Sequence, residues 1–374
     1  MSIARIDQSQ FGRWWWTVDR WTVMALGTLC AFGCVMTLAA SPAVADRIGA
    51  GSFHFVRHQL ALMPISIAVI FAISLQSPRT IRRIAMIGLA LSLLALAATF
   101  FAGSDIKGAR RWISFGGISV QPSEFAKPCF AIVCAWLFAE QKNPESKIPG
   151  NIVAIALYGL VMALLLLQPD LGQAVLVTAI WFVEFYLAGL PIVIVVILAL
   201  IGAAGLYGAY EIFPHVQSRI DRFLDPAAGD HYQVTRSIEA FTNGGLWGVG
   251  PGEGTVKGYL PDAHADFVFA VAGEEFGLVV CLLIVAVFAF IVLRGFSRLM
   301  VERNLYVVLA GAGLLAQFGL QAVINMASTL QLMPTKGMTL PFLSYGGSSL
   351  VALGLGMGMV LAMTRRRFGT GDAG

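Results

Sequence analysis

Charge is what this sequence has least of. Of its 374 residues, 12% are Asp, Glu, Lys or Arg and 57% are hydrophobic, with a mean hydropathy of +0.77. A soluble domain carries about 25% charged residues, so the composition excludes one and calls for an integral membrane protein. A glycine-rich phosphate loop ending in Lys-Ser/Thr is missing. GVGPGEG (248–254) has the glycines, but a proline interrupts it and no strand precedes it, so it reads as turn. Nucleotide-driven transport therefore has no motor here. Neither a Cys/His cluster of metal-ligand spacing nor a Gly-x-Ser-x-Gly elbow is present. The five cysteines, Cys30, Cys34, Cys129, Cys134 and Cys281, all lie in apolar runs and read as small core residues. No basic tail suggests nucleic acid, and the net charge of +4 says little about partners. Residues 1–21 are polar and aromatic, too long and interrupted for a secretory signal. Trp14, Trp15, Trp16 and Trp21 read there as an interfacial belt ahead of the first span.

What is present is long apolar runs. About twenty apolar residues cross the hydrocarbon core, and ten stretches qualify: 22–44, 59–76, 84–103, 122–140, 151–168, 171–189, 191–213, 267–293, 305–330 and 344–363. The joints QPDLG (168–172) and LAGLP (187–191) are tight and leave nine or eleven spans as alternatives. The expectation is an all-α polytopic domain over 22–367, between an N-terminal segment 1–21 and a tail 368–374. Lys and Arg in the short loops favour both termini in the cytoplasm. That orientation puts 214–266, rich in turns but also in aromatics and aliphatics, outside as one large loop expected to be ordered. It also puts three cations, Lys107, Arg110 and Arg111, in a short outer loop against the usual bias. Either they are ordinary outer cations or something anionic is held there.

Acid–base chemistry has few candidates, and they gather at one boundary. YLPDAHADFVFAVAGEEFG (259–277) leads into the eighth span with Asp262, His264 and Asp266, and places Glu274 and Glu275 further in. Carboxylates at a membrane boundary must be paired, hydrated or used. For Glu274 and Glu275 the simplest use is pairing between helices; for His264, capping or hydrogen bonding; for Asp266, the N-cap of the eighth span, which is compatible with catalysis. Glu253 lies near the same end of the loop. In QPSEFAK (121–127), Pro122 suits a first helical turn. Glu124 and Lys127 are three apart on one face and can pair inside the membrane, as an internal ion pair, as the floor of a polar cavity, or as both.

KGARRWISFGGISVQPSEFAK, QPDLGQAVL, GGLWGVGPGEG, YLPDAHADFVFAVAGEEFG and TKGMTLPFLSYGGSS together resemble the SEDS proteins, the shape, elongation, division and sporulation family, over roughly residues 20–367. PTKGMTLPFLSYGGSS is more similar to the division member than to the elongation member. The resemblance implies a ten-span fold and a peptidoglycan glycosyltransferase that polymerises lipid II at the outer face of the cytoplasmic membrane, at the division septum. It implies a class B penicillin-binding protein as partner, with other divisome membrane proteins and membrane lipids around it. The family's essential aspartate falls on Asp266, and Ala265 stands where the family usually has threonine. Lys107, Arg110, Arg111, Lys127 and Lys336 become candidates for the lipid-linked diphosphate, with His264 and Glu124 in the same substrate-binding set. No cofactor is assigned; a divalent cation (Mg or Mn) at the leaving group is left open. Competing roles are a lipid II flippase, a non-catalytic division scaffold and service in elongation.

Overall fold

The computed structural model describes residues 9–47, 49, 51, 53–106, 109–115, 118–189, 192–212, 217, 221, 232–334 and 337–366. Among them are twelve α-helices: α1 (Gln10–Thr17), α2 (Arg20–Arg47), α3 (His54–Ser74), α4 (Pro78–Ala102), α5 (Pro122–Gln141), α6 (Gly150–Leu167), α7 (Leu171–Leu187), α8 (Ile192–Ile212), α9 (Tyr232–Gly244), α10 (Val268–Leu299), α11 (Leu305–Thr329) and α12 (Ser348–Met363). Each of the ten apolar runs has its helix. Six of them, α2, α3, α4, α6, α10 and α11, are long and apolar enough to cross a membrane by themselves; α7 and α12 are apolar but shorter. This is a multi-pass membrane protein. Polar side chains fix several helix starts: Ser77 caps α4 ahead of Pro78, Asp170 caps α7 and Asn304 caps α11.

The bundle is built around α5. Fifteen of its twenty residues are buried, and α4, α6, α7, α11 and α12 pack on it. Peripheral helices instead turn aliphatic residues outward, such as Leu60 on α3 and Ile87, Leu91 and Leu94 on α4. Lipid tails are as apolar as leucine, so helices here associate through close packing and polar contacts. Small residues allow it. Gly354 and Gly358 of α12 sit where a Cβ would meet Ser66 Oγ at 2.5 Å and Ile73 Cβ at 2.9 Å on α3.

Three expectations need correction. First, the architecture is not purely helical. The 104–120 loop holds a three-stranded antiparallel sheet, order β1-β2-β3, with β1 (Ser104–Ile106), β2 (Ala109–Phe115) and β3 (Ile118–Val120). Second, Trp14 is not part of an interfacial belt. It is 6% exposed, edge-on to Phe71, and donates its indole N–H to Ser74 Oγ at 2.8 Å, while Trp21 does stand outward. Third, the span expected at 267–293 is an interrupted helix. At about 1.5 Å per residue, the 32 residues of α10 would run about 48 Å, well beyond a hydrocarbon core of about 30 Å. Gly277 breaks it, with φ 78° and ψ −179°.

The break frees backbone groups, and the segment after α9 takes them up. Val249 and Gly250 donate to the carbonyls of Glu274 and Glu275 at 3.0 Å each; Leu278 and Val279 donate to those of Gly245 and Leu246 at 3.0 and 3.3 Å. A Cβ on Gly277 would lie 2.4 Å from Gly248 N, so glycine is required by both dihedral and space. Before the break α10 is buried from Val268 to Glu275; after it Leu278, Leu282 and Leu283 are exposed. The order expected for 214–266 is realised in α9, a 3-10 turn (Val256–Tyr259) and the turns around them; most of 214–231 lies outside the described residues.

Candidate functional site

Asp266 sits in a run of turns between Leu260 and α10. Its own N–H donates to Asp262 O at 3.1 Å, and Asp262 adopts φ 53° to make that turn. The N-cap of α10 is Phe267, with no side-chain cap bond, so Asp266 does not serve as the cap the sequence suggested. The carboxyl is half-buried, and its Oδ2 lies 3.3 Å from where a Cβ on Gly337 would be. Glycine leaves the 337–345 segment free to pass directly beside it. Lys336 precedes Gly337, and both Lys336 and Lys107 fall outside the described residues.

Four hydrogen bonds tie these two segments together, two of them through a bridging residue. Asn325 of α11 donates from Nδ2 to Asp266 O at 2.9 Å and to Met338 O at 2.6 Å. Ser344 Oγ donates to Ala265 O at 2.6 Å, and Tyr345 N–H to His264 O at 2.9 Å. Phe342 accepts φ 62°, an uncommon conformation for a bulky residue, within the same segment. His264 is 8% exposed, between Phe55 (centroids 4.1 Å apart) and Tyr345 (5.3 Å). Burial pushes its imidazole down to about 4, so it is neutral at pH 7 and packs as an aromatic ring between those two.

Below lies a polar layer. Lys127 Nζ is 3.0 Å from Glu124 Oε2 and 3.2 Å from Gln321 Oε1, and Gln173 Nε2 donates to Glu124 Oε1 at 2.6 Å. The i,i+3 pair therefore forms, with Lys127 only 1% exposed and an amide from α7 or α11 on either charge. Gln321 Nε2 continues to Thr339 O at 3.1 Å, which links this layer to the segment beside Asp266.

The cationic loop divides. Arg110 is exposed, with a contact of 3.4 Å to Phe100 O. Arg111 turns inward instead. Its guanidinium bonds the carbonyls of Gln168 (3.1 Å) and Pro169 and lies 3.8 Å from Asp170. It clamps the tight joint between α6 and α7. Burial raises the Asp170 carboxyl above the ordinary carboxylate range, and Arg111 offsets only part of that rise.

Glu274 and Glu275 lie apart from Asp266's carboxyl and hold the outer segment. Glu274 accepts from Val256 N (2.7 Å), Lys257 N (2.8 Å) and Asn243 Nδ2 (3.0 Å), and Glu275 pairs with Lys257 Nζ. The expected helix–helix pairing is met only through Asn243 of α9; the 3-10 turn supplies the rest. Among the described residues no group of three or more His, Cys, Asp or Glu is placed to hold a metal. Among the described residues, then, Asp266 belongs to no such group.

Sequence reasoning missed Asn325, Gln321, Gln173 and Asp170. A signal was available for the first two. Gln317, Gln321 and Asn325 recur every fourth residue along an otherwise apolar α11, a polar stripe at helical spacing.

Residues 20–368 match the family model for FtsW, RodA and SpoVE, described as cell cycle protein. The chain is 43% identical over 369 residues, 98% of itself and 94% of the relative, to a probable peptidoglycan glycosyltransferase FtsW of Caulobacter vibrioides. It is 33% identical over 345 residues, 90% of itself and 94% of the relative, to the stage V sporulation protein E of Bacillus subtilis. Among solved structures, it superposes with a TM-score of 0.74 and 27% identity on a chain described under structural coordination of polymerization and crosslinking by a peptidoglycan synthase complex, covering 93% of this chain and 97% of that one. On the rod shape determining protein RodA of Thermus thermophilus the TM-score is 0.67 at 27% identity, covering 94% of this chain and 98% of that one.

Proposed function

The chain belongs to the FtsW/RodA/SpoVE family of cell cycle proteins, the SEDS family, and from that premise we propose how it works as a peptidoglycan glycosyltransferase of cell division. The substrate is lipid II, and the product is a β-1,4 glycan strand. Asp266 acts as general base. It takes the proton of the acceptor's GlcNAc 4-hydroxyl as that oxygen attacks C1 of the donor MurNAc. The α-linked undecaprenyl diphosphate leaves with the bonding electrons, and the anomeric centre inverts. The observation that carries this reading is the placement of Asp266. It is a half-buried carboxyl outside any helix cap, fixed through its backbone by Asn325, facing the segment that follows Lys336. A base needs such fixation to meet a hydroxyl within hydrogen-bond reach.

The diphosphate needs cations, and Lys107, Arg110 and Lys336 are the residues we assign to it. Arg111 and the Glu124–Lys127 pair support the site from below: the first holds the 168–170 joint, the second builds a polar floor. The same reading places all ten apolar helices across the cytoplasmic membrane with both termini inside. The Asp266 turn, the sheet and α9 then lie at the outer face, where lipid II is presented. A class B penicillin-binding protein is the partner that crosslinks the strands, and the septum is where both act.

The test is polymerisation of lipid II by the purified protein with its partner in detergent, where no bilayer is left to flip across. Asp266→Asn keeps the shape and removes the base, and polymer should fall by about 10²–10⁴-fold with the partner still bound. Polymer at the wild-type rate from that variant would overturn the assignment.

A further inference from the structure

Glu184 is the single Asp, Glu, Lys, Arg or His of α7 and lies 11 residues, about 16 Å, beyond Gln173 along that helix. It is 0% exposed, and neither carboxyl oxygen has a hydrogen-bond partner. The carboxyl rests against the backbone of α11: a Cβ on Gly313 would stand 1.9 Å from Glu184 Oε1 and 2.8 Å from its Cδ. The glycine makes room for this group. Four residues on, and so on the same face of α11, Gln317 is 5% exposed and its Oε1 is also unpartnered. Trp181, one turn before Glu184, is 5% exposed with an unpartnered indole N–H. Three buried polar groups thus gather with their hydrogen-bonding capacity unmet. Gln317 further lies between Gly313 and Gln321, so the cluster continues the polar stripe that ends at Lys127 and Thr339.

Among the described residues no cation is hydrogen-bonded to the Glu184 carboxyl. Helix α11 contains no Asp, Glu, Lys, Arg or His, and neither does α6. The titratable groups facing this part of α7 are Cys134 of α5, a thiol, and Tyr158 of α6, whose ring stacks on Trp181 and whose hydroxyl bonds Thr178. On α5 the Glu124–Lys127 pair lies two turns from Cys134 in one direction; Lys142, beside Gly189, lies two turns away in the other. A bare carboxylate in a dry interior costs several kcal/mol or more, and no hydrogen bond among the described residues offsets it. The neutral acid has one O–H to donate, and Gln317 Oε1 is the acceptor left open on the facing helix.

We propose that Glu184, with Gln317 and Trp181, forms a proton-binding site inside the membrane domain, separate from the Asp266 site. The ligand is one exchangeable proton on the carboxyl: the O–H donates a hydrogen bond towards Gln317 Oε1, the second oxygen can accept one from the Trp181 N–H, and the proton itself is exchanged with water. The alternative occupant of such a carboxyl is a monovalent metal cation, and the experiment separates the two. The purified full-length protein is treated in detergent with dicyclohexylcarbodiimide. The protonated carboxyl adds across the carbodiimide to give an O-acylisourea, which rearranges to a stable N-acylurea with no atom lost. Peptide mass spectrometry should find the adduct on Glu184, falling at least tenfold as pH rises and unchanged between sodium and potassium buffers. Glu184→Gln should lose the adduct and keep the wild-type Tm; Glu184→Lys should lower it. An unlabelled Glu184 in protein whose other carboxyls react, protection by sodium, or a Tm that depends on sodium only while Glu184 is present would each overturn the proposal.

Discussion

Asn325 holds Asp266 without touching its carboxyl. One amide nitrogen reaches the carbonyls of Asp266 and Met338, so two segments remote in sequence are set at a fixed separation beside the base. Replacing Asn325 by Leu removes both bonds and leaves the buried Met338 carbonyl unmet, at about 1–3 kcal/mol, and the part-buried Asp266 carbonyl unmet at less. Polymerisation should fall by about 10–100-fold, mostly in kcat, because the base is displaced while the cations remain. A variant that folds with unchanged kcat would show that Asn325 has no part in positioning.

The Glu124–Lys127 pair makes a sharper test. Either single change to Ala leaves a lone buried charge and should cost about 3–5 kcal/mol, more than the double change. The swap, Glu124→Lys with Lys127→Glu, should recover stability, since the amides of Gln173 and Gln321 can present either end to the new charges. Thermal unfolding in detergent reads this. Polymer yield from the swapped protein then reports whether the floor's polarity matters for the reaction.

Arg110 and Arg111 should separate. Arg111→Ala frees the 168–170 joint and should lower Tm by several degrees. Arg110→Ala should leave Tm in place and raise the KM for lipid II, with Arg110→Lys an incomplete rescue of a bidentate contact. Equal effects of the two on Tm would contradict this division.

Gly277→Ala meets both a left-handed backbone and a backbone nitrogen 2.4 Å from the new carbon. The docked segment 245–250 should release, seen as faster proteolysis between α9 and the 3-10 turn and a loss of at least about 1–3 kcal/mol. An unchanged cleavage pattern would mean the break tolerates a side chain.

His264 sets a pH dependence. Its folded value of about 4 lies below the ordinary 6.5, so the unfolded chain binds the proton more readily. Stability from this group is complete above pH 6.5 and is lost as pH falls from 6.5 to about 4, by up to about 3 kcal/mol. The difference in Tm between wild type and His264→Phe, followed from pH 8 to pH 4, isolates that part. A difference independent of pH would contradict it.

The ten helices were legible because about twenty apolar residues say the same thing wherever they pack. The Glu124–Lys127 pair was legible because i,i+3 spacing fixes it locally. Asp266 came from the motif around it, while its failure to cap α10 depended on the turn at Asp262, which no local spacing announces. The break at Gly277 was hidden for a related reason. One of 40 glycines becomes a break only because 245–250, far along the chain, satisfies the backbone it opens. The sheet had a local signal: Trp112, Ile113 and Phe115 are aromatic or β-branched, and Phe115 pairs with Ile118 across two residues that are Gly-Gly.

Helix α5 has a history to account for as well as a position. With a buried lysine and glutamate and almost no lipid-facing surface, it is not among the helices apolar enough to enter a bilayer unaided. Glu124 stands in its first turn and Lys127 in its second, and a lone charge there disfavours insertion, by less than the roughly 2.5–3.5 kcal/mol a lysine costs at a helix centre. The amides that relieve those charges arrive on α7 and α11, which are synthesised later. The centre of the molecule is therefore completed last. During biogenesis α5 must wait, shielded by its own ion pair and by α4, until the C-terminal half closes over it.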